Sequence, residues 1–303
     1  MSEAVGATIT HQDARLPNGM RLHYAQSGDP AAPLILFIHG FPEFWAAWEQ
    51  QLAEFGRDHH AVAPDMRGFN LSDQPLAVEK YRAKHLVEDL RLLIAHLGHQ
   101  RCVMVAHDWG GAVAWNFAAL HPQLVERLVI INSPHPALFQ RDLAGNPAQI
   151  QASAYMNLLR SPRAETIMGE NDFARMAKLV AGMGQEVVWL TPELKARYLE
   201  CWRRGITGGL NYYRASPLYP VNETEPGAAA VSIPRELVTV KVPTLVIWGM
   251  RDEALLPQLL DGLEGYVGDL RIARIEAGSH WVVHEQPQQV NALIRGFLGP
   301  APS

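Results

Sequence analysis

The chain has 303 residues, enough for one large domain or for one domain that carries a sizeable insertion. It holds 26 Lys and Arg against 31 Asp and Glu, a net charge of −5, and 48% of its residues are apolar. This balance is typical of a globular protein, and a mildly acidic chain without a basic run is not expected to bind nucleic acid. With only Cys102 and Cys201 as cysteines, no disulfide scaffold can form and no cysteine-based metal site is expected.

Nothing in the sequence predicts a leader peptide or a membrane span. Residues 1–16 are polar and contain no apolar stretch, and no apolar run in the chain approaches the length of about 18 residues that a spanning helix needs. The expectation is a soluble, cytoplasmic protein that does not enter a membrane.

Strands and helices alternate in the first part of the chain. Strands are predicted at residues 20–26, 33–39, 60–64, 101–106 and 125–131. Helices are predicted at 81–97, where apolar residues recur at helical spacing before Gly98, and at 110–120. Wholly apolar strands joined by helices are typical of a parallel sheet that is covered on both faces.

The pattern changes between residues 133 and 236, where no strongly apolar strand occurs. Helices are instead predicted at 148–159, 172–181 and 192–203. The alternation then resumes, with strands predicted at 244–248 and 270–275 and helices at 255–266 and 288–298. The economical interpretation is an α/β core of residues 1–132 and 237–303, with a helical insertion of residues 133–236.

The most informative segment, A-H-D-W-G-G (106–111), follows a predicted strand and opens a predicted helix. Small residues surround Asp108, as in the tight nucleophile elbow that is usually written G-x-S-x-G. A helix N-terminus favours a carboxylate, and its free N–H groups can hold a developing negative charge. A lone Asp in this place is more often a helix cap, but the partners found later in the chain favour a nucleophile.

Aspartate in place of the usual serine changes the expected chemistry. A carboxylate that attacks an ester or amide forms an anhydride, whereas at a saturated carbon with a good leaving group, or in a strained ring, it forms an alkyl–enzyme ester. Water must then hydrolyse that ester. Esterase, lipase and peptidase functions are therefore not expected, and a serine hydrolase is excluded because position 108 holds no serine.

Two later segments supply partners for Asp108. W-G-M-R-D (248–252) places Asp252 after a predicted strand, with Glu253 as the alternative acid, and G-S-H-W (278–281) places His280 after the last one. Taken singly, a turn aspartate and one of 13 histidines are unremarkable. Their order along the chain, nucleophile then acid then base, favours a catalytic role for both residues, because proteins with a nucleophile elbow carry their catalytic groups in this order. Asp252 would fix the imidazole tautomer, and His280 would activate the hydrolytic water.

The loop H-G-F-P-E (39–43) follows the predicted strand at 33–39. Its Phe41 N–H, together with the Trp109 N–H, is placed to form an oxyanion hole for the Asp108 carboxylate and for the tetrahedral intermediate. The simpler interpretation is a glycine turn after a strand. Phe41 and Trp109 are also expected to line the substrate pocket.

With D-M-R-G-F (65–69), these segments resemble, in order and from end to end, α/β-hydrolases of the epoxide hydrolase and dehalogenase branch. The resemblance implies the α/β-hydrolase fold, with a mostly parallel sheet, helices on both faces and a helical cap at residues 133–236. It implies a structural role for Arg67, and His39 and His107 are also assigned structural roles. No cofactor and no metal are expected.

In epoxide hydrolases, two cap tyrosines protonate the oxygen of the opening ring. The segment N-Y-Y-R (211–214) is similar to the N-[WY]-Y-R segment of that family, which makes Tyr213 one donor. Tyr155, in A-Y-M (154–156), is the candidate for the other, and Tyr212 is assigned to packing. Phenols have an ordinary pKa near 10, so they stay protonated at neutral pH and can donate.

Dehalogenases of the same branch remain the alternative. Haloalkane dehalogenases often carry an Asn where this chain has Phe41, and haloacetate dehalogenases, the fluoroacetate enzymes included, place arginines where it has Trp109 and Ala112. A carboxylate could still be bound by an arginine elsewhere in the predicted cap, namely Arg203, Arg204 or Arg214.

The sequence therefore predicts an enzyme similar to epoxide hydrolases, which converts an epoxide to a vicinal diol through an ester on Asp108. A small epoxide or organohalide and water are the expected partners, and a homodimer is left open. A binding or signalling protein without turnover is disfavoured, because such proteins typically lose a member of the triad, and Asp108, Asp252 and His280 are all present.

Overall fold

The computed structural model of the protein describes residues 8–182 and 188–299. Within these ranges eight strands form one sheet: β1 (Thr10–Arg15), β2 (Arg21–Ser27), β3 (Leu34–Ile38), β4 (His60–Pro64), β5 (Cys102–His107), β6 (Val125–Ile131), β7 (Thr244–Gly249) and β8 (Leu270–Ile275). The helices are α1 (Glu49–Phe55), α2 (Ala83–His96), α3 (Trp109–Leu120), α4 (Pro136–Gly145), α5 (Pro147–Ala152), α6 (Tyr155–Arg160), α7 (Ala164–Gly182), α8 (Pro192–Arg203), α9 (Thr207–Ala215), α10 (Val282–Glu285) and α11 (Pro287–Leu298). Residues 1–7, 183–187 and 300–303, which the predicted division into core and insertion includes, lie outside the described residues.

The sheet is mostly parallel, which confirms the predicted fold class. Its strand order is β1-β2-β4-β3-β5-β6-β7-β8; β2 pairs antiparallel with both of its neighbours, and every pair from β4 to β8 is parallel. Within the sheet, the connection from β3 to β4 runs towards β2, whereas the connections from β4 to β5 and on to β8 run the opposite way. Right-handed crossovers therefore place α1 on one face of the sheet and α2 and α3 on the other. Because both faces are covered, β3, β4 and β5 are buried at every position.

Strand β1 is not predicted from the sequence, and its burial explains why. It lies at the edge of the sheet, and of its six residues only Ala14 is buried. Such a strand shows neither an apolar run nor an apolar alternation, so it leaves no periodic signal in the sequence.

The helix predicted at residues 255–266 is wrong. The segment forms two short 3₁₀ turns, Pro257–Leu260 and Leu263–Gly265, which are separated by Gly262 in the left-handed conformation with φ +90°. Proline has no N–H for a helical hydrogen bond, and a residue with positive φ ends a right-handed helix. The apolar spacing here reflects burial of the turns and not a continuous helix.

The segment between β6 and β7 contains α4 to α9, and the helices predicted there are partly right. Helix α8 has the predicted bounds, whereas the helix predicted at 148–159 is divided into α5 and α6. At the division, the Ser153 hydroxyl accepts a hydrogen bond of 2.8 Å from the Gln149 side chain. The helix predicted at 172–181 lies in the longer α7, whose backbone is not helical at residues 170–173, and α4 and α9 are not predicted.

Several hydrogen bonds and one close backbone contact hold these helices against the loops that follow the strands. The Trp202 indole N–H donates to the Pro42 carbonyl at 2.8 Å, and the Tyr212 hydroxyl donates to the Arg67 carbonyl at 3.0 Å. On α9, a Cβ at Gly208 would lie 2.3 Å from the carbonyl oxygen of Gly68, so bare glycine is needed for this approach. In the part of the chain that the structure describes, no helix combines the length and the apolar character needed to cross a bilayer.

We expect Gly208→Ala to lower the free energy of unfolding by about 1–3 kcal/mol, because its methyl group would meet backbone atoms that cannot move aside cheaply. Gly296→Ala is the matched control: Gly296 lies in α11 with no atom within 4 Å of an added Cβ, so alanine should stabilise its helix by about 0.5–1 kcal/mol. Urea unfolding of both variants measures the difference. Equal changes in the free energy of unfolding for Gly208→Ala and Gly296→Ala would contradict the close contact of α9 with the loop at Gly68.

Candidate active site

The chain turns sharply between β5 and α3, and Asp108 occupies the turn. Its backbone has φ 51° and ψ −124°, a strained conformation for a residue with a side chain. The helix starts so close to the sheet that a Cβ at Gly110 would lie 2.3 Å from the Ile38 carbonyl oxygen, and one at Gly111 would lie 2.3 Å from the Ser133 Cβ. The small residues in A-H-D-W-G-G therefore have a steric reason: they let the turn present Asp108 above the sheet edge.

The loop after β3 surrounds the Asp108 carboxylate. The Phe41 N–H donates to Asp108 Oδ1 at 2.7 Å, and a Cβ at Gly40 would lie 2.2 Å from the same oxygen. The Trp109 N–H, at the first position of α3, has no hydrogen-bond partner among the described residues. Both backbone donors of the predicted oxyanion hole thus lie next to Asp108, one bound to its carboxylate and one unused.

His280 lies between two carboxylates. Its Nδ1 is 2.7 Å from Asp252 Oδ2, and its Nε2 is 3.7 Å from Asp108 Oδ2. The other oxygen of Asp252 accepts hydrogen bonds from the backbone N–H groups of Ala254 and Leu255. Nδ1 therefore donates to Asp252, which leaves Nε2 on the side of Asp108. Glu253, the alternative acid, is exposed and takes no part in this arrangement.

The charges of these groups depend on one another. Burial by itself lowers the pKa of His280, but the charge and hydrogen bond of Asp252, and more weakly the charge of Asp108, raise it to about 9. Burial alone would raise the pKa of Asp252, yet the imidazolium and the hydrogen bonds that it accepts lower it. At neutral pH the site therefore holds an imidazolium between two carboxylates. If Asp108 loses its charge on becoming an ester, one support of the imidazolium is lost and the pKa of His280 falls.

We expect the pKa of His280, followed by NMR of histidine-labelled protein, to lie near 9 in the native protein and to be lower in Asp108→Asn. The amide keeps the size of the carboxylate but removes the charge that raises the pKa. The resonance that disappears in His280→Gln assigns the signal among the 13 histidines. An unchanged pKa in Asp108→Asn would contradict the coupling between the two groups.

Two tyrosines from the inserted segment lie across from Asp108. The Tyr213 ring is 5.0 Å from Trp109 and 5.3 Å from Phe41, centroid to centroid, and 6.4 Å from the Tyr155 ring. The two phenol groups are close enough for each to affect the pKa of the other. Burial, and then neighbouring groups that include the Asp108 carboxylate, raise the pKa of both phenols, so both are protonated at neutral pH.

The cavity beside Asp108, Trp109, Tyr155 and Tyr213 has a volume of about 460 Å³. Its other walls are largely apolar and come from α2, α3, α4 and the ends of the insertion. Among the described residues that line it there is no Lys, Arg or His. The cap arginines considered for a carboxylate are paired elsewhere: Arg203 with Asp172, Arg204 with Glu200 and Arg214 with Glu165.

Sequence reasoning missed two groups that support these residues. The Asn132 amide donates to Asp252 Oδ2 at 2.7 Å, and the Ser133 hydroxyl donates to the Asp108 carbonyl at 2.7 Å. Both residues directly follow β6, between the strands that carry Asp108 and Asp252. That placement is the signal that could have found them, because the ends of parallel strands meet at one edge of the sheet.

The second group surrounds the buried Glu43, which directly follows Pro42 in the loop after β3. Its carboxylate lies 3.1 Å from His107 Nδ1 and 2.6 Å from His284 Nε2, and it accepts a hydrogen bond of 2.8 Å from Tyr198 of α8. Burial alone would raise the pKa of Glu43, but the charge of His284 and the hydrogen bonds of both histidines hold it well below its usual range. His107 also donates to the His280 carbonyl at 2.8 Å. Through His107 and Tyr198, Glu43 therefore connects the elbow and the loop that carries His280 to the insertion.

A parallel sheet with an elbow after one strand, and with an acid and a histidine after later strands, defines a hydrolase of the α/β type. A family model described as the alpha/beta hydrolase fold matches residues 33–287. Epoxide hydrolase 3 of Xenopus tropicalis is 36% identical over 290 residues, with 93% of this chain and 75% of that protein covered. The AB hydrolase superfamily protein YfhM of Bacillus subtilis is 35% identical, with 93% and 95% covered.

A solved structure agrees with these relatives. The epoxide hydrolase of Bacillus megaterium, crystallised in complex with an inhibitor, superposes with a TM-score of 0.87 at 36% identity, with 95% of this chain and 99% of that chain covered. The chain therefore belongs to the α/β-hydrolase fold family and, within it, to the epoxide hydrolases. The predicted family and the prediction of an epoxide hydrolase-like enzyme are confirmed.

Proposed function

We propose that the protein hydrolyses epoxides to vicinal diols through an ester on Asp108. The observation that carries the proposal is the placement of two protonated phenols, Tyr155 and Tyr213, in one cavity with a carboxylate that is bound to a backbone N–H. An epoxide needs a nucleophile for carbon and an acid for oxygen at the same time, and this cavity holds both.

In the first step, one oxygen of Asp108 attacks a ring carbon and the carbon–oxygen bond of the ring breaks. The electron pair of that bond goes to the ring oxygen, which takes a proton from Tyr155 or Tyr213. The tyrosinate that remains regains a proton from the His280 imidazolium through solvent, which leaves His280 neutral for the second step. The product is a hydroxyalkyl ester of Asp108. The Phe41 N–H keeps the other carboxylate oxygen in place during the attack, at a starting distance of 2.7 Å.

In the second step, His280 Nε2 takes a proton from water, and the resulting hydroxide adds to the ester carbonyl carbon. The N–H groups of Phe41 and Trp109 stabilise the negative oxygen of the tetrahedral intermediate. The intermediate collapses and releases the diol, whose oxygen takes the proton from His280; the carboxyl proton of Asp108 then passes to His280, which restores the carboxylate and the imidazolium. Asp252 holds the imidazole in the tautomer that presents Nε2, and it stabilises the imidazolium that forms.

We also propose that residues 133–236 act as a cap and residues 1–132 and 237–303 as the core. The support is that the insertion supplies the two phenols, whereas the core supplies Asp108, Asp252 and His280. Substrate would then lie between the two parts. On this division, the nucleophile and the acid for the leaving oxygen would come from different parts of the chain and act on a substrate held between them.

The carbon–halogen alternative has less support. A haloacetate needs a cation for its carboxylate, and the described lining of the cavity contains no Lys, Arg or His, while the cap arginines are paired with acids. A haloalkane needs only hydrogen-bond donors for the halide, so an epoxide and a matched alkyl halide test the two chemistries on the same nucleophile.

We expect native protein to convert a terminal aryl or alkyl epoxide to its diol, and Asp108→Asn to form no diol because the nucleophile is gone. Tyr155→Phe combined with Tyr213→Phe should lower kcat for the epoxide by roughly 10²- to 10⁴-fold, the usual contribution of a general acid. Any turnover of the matched alkyl chloride should change little, since a halide leaves without a proton.

Tyr212→Phe is the matched control, because the Tyr212 hydroxyl is bound to the Arg67 carbonyl and not to the other phenols. It should retain the native kcat while losing up to about 1 kcal/mol of stability. Equal loss of epoxide and chloride turnover in the double variant would mean that the two phenols serve packing and not proton donation. Diol formation by Asp108→Asn would contradict the assignment of Asp108 as the nucleophile.

A further inference from the structure

The cavity extends well beyond the reacting groups, along one face of α3. The residues of that helix that line it are Trp109, Ala112, Val113, Asn116 and Leu120. Their spacing of three and four residues is that of one helix face, so the cavity follows the helix from its first turn to its last. Ala112 contributes only a methyl group to this wall. The path from the nucleophile towards Asn116 is therefore lined by small or apolar side chains.

Asn116 is the only polar residue in α3, whose sequence is W-G-G-A-V-A-W-N-F-A-A-L. Its amide nitrogen donates to the Ala112 carbonyl at 2.8 Å, one turn earlier, which fixes the side chain along the helix. The amide oxygen has no hydrogen-bond partner among the described residues. A free amide oxygen and the second N–H of the same amide thus lie in a largely apolar wall.

The remaining chemistry of the wall limits what this oxygen can bind. Since the described lining holds no Lys, Arg or His, no protein cation competes for the acceptor or favours an anionic ligand. An amide oxygen accepts a hydrogen bond and cannot donate one. The ligand group that suits this oxygen is therefore neutral and able to donate, as a hydroxyl or an amide N–H can, and it is carried on an apolar body; a hydroxyl can also accept from the second N–H of Asn116.

We propose that Asn116 is a specificity-determining residue for epoxides that carry a hydroxyl or amide N–H at the far end of an extended apolar chain. Asn116 lies seven residues after Trp109, and a helix rises 1.5 Å per residue. The donor group of the substrate must therefore sit about 10 Å from its epoxide ring, measured along the helix. This inference rests on the proposed epoxide hydrolysis. It adds a second recognition point, which selects substrates by length as well as by polarity.

The test uses two series of terminal epoxides on straight alkyl chains of six, eight, ten and twelve carbons, one series plain and the other with a hydroxyl on the last carbon. The readout is the ratio of kcat/KM for the hydroxylated and the plain member at each length. In native protein we expect this ratio to peak at one length, and at that length to exceed the ratio in Asn116→Leu by roughly three- to ten-fold. Leucine has nearly the shape of asparagine and suits an apolar helix, so α3 should be retained; circular dichroism and thermal unfolding check this.

Two further variants separate the hydrogen bond from general effects of mutation. Gln123→Leu makes a similar polar-to-apolar change at an exposed position just after α3 and should leave every ratio at its native value. Ala112→Met places a longer side chain between the nucleophile and Asn116. It should slow the ten- and twelve-carbon epoxides of both series more than the six-carbon ones.

A ratio that is flat with chain length in native protein, or that is the same in Asn116→Leu, would overturn the role of Asn116 while epoxide hydrolysis itself stands. If Ala112→Met hydrolyses the long and the short epoxides of both series at the same relative rates as native protein, substrates do not follow α3. If neither series is hydrolysed by native protein, the proposed function fails, and that result is distinct because no ratio can then be formed.

Discussion

The turn at Asp108 is the constraint on which the rest of the site depends. It takes the chain from a buried strand into a helix within one residue, and it does so with a positive φ that is unfavourable for aspartate. The turn exists only because Gly40 and Gly110 leave space for the carboxylate and for the start of α3. In return, the carboxylate lies within hydrogen-bond distance of the Phe41 N–H and within 3.7 Å of His280.

The charges around this turn suit a reaction in two stages. Before reaction, the carboxylates of Asp108 and Asp252 together keep the pKa of His280 near 9, so the imidazole is protonated and does not compete for protons with the phenols. In the proposed mechanism, esterification of Asp108 removes one of those charges and lowers the pKa of His280. The same histidine can then give its proton to the tyrosinate left by ring opening and act as the base of the second step.

Much of this architecture could be predicted from the sequence, because its signals are local. Apolar strands such as β4 and β6 have the predicted bounds, and the elbow, the acid and the histidine follow strands in the expected order. The parts that could not be predicted depend on tertiary packing. Edge strand β1 has no apolar pattern, and the segment at 255–266 is apolar because it is buried, although Pro257 and Gly262 prevent a helix.

The same distinction applies within the candidate site. Sequence order brings Asp108, Asp252 and His280 together, since each follows a strand of one parallel sheet. The support from Asn132 and the links of Glu43 to His107, His284 and Tyr198 join residues that are far apart in the chain, and no sequence pattern shows that they meet. The free acceptor of Asn116 is likewise visible only once the course of the cavity along α3 is known.

The covalent ester on Asp108 is the central claim, and intact mass spectrometry of His280→Gln tests it most directly. Without its base the protein should accumulate the ester, so incubation with an epoxide should add the whole mass of that epoxide. Combining His280→Gln with Asp108→Asn should abolish the addition, and digestion should locate it on the peptide that contains Asp108. Addition of an alkyl halide minus its hydrogen halide, with no epoxide adduct, would move the protein to carbon–halogen chemistry. An epoxide adduct that persists without Asp108 would contradict the account.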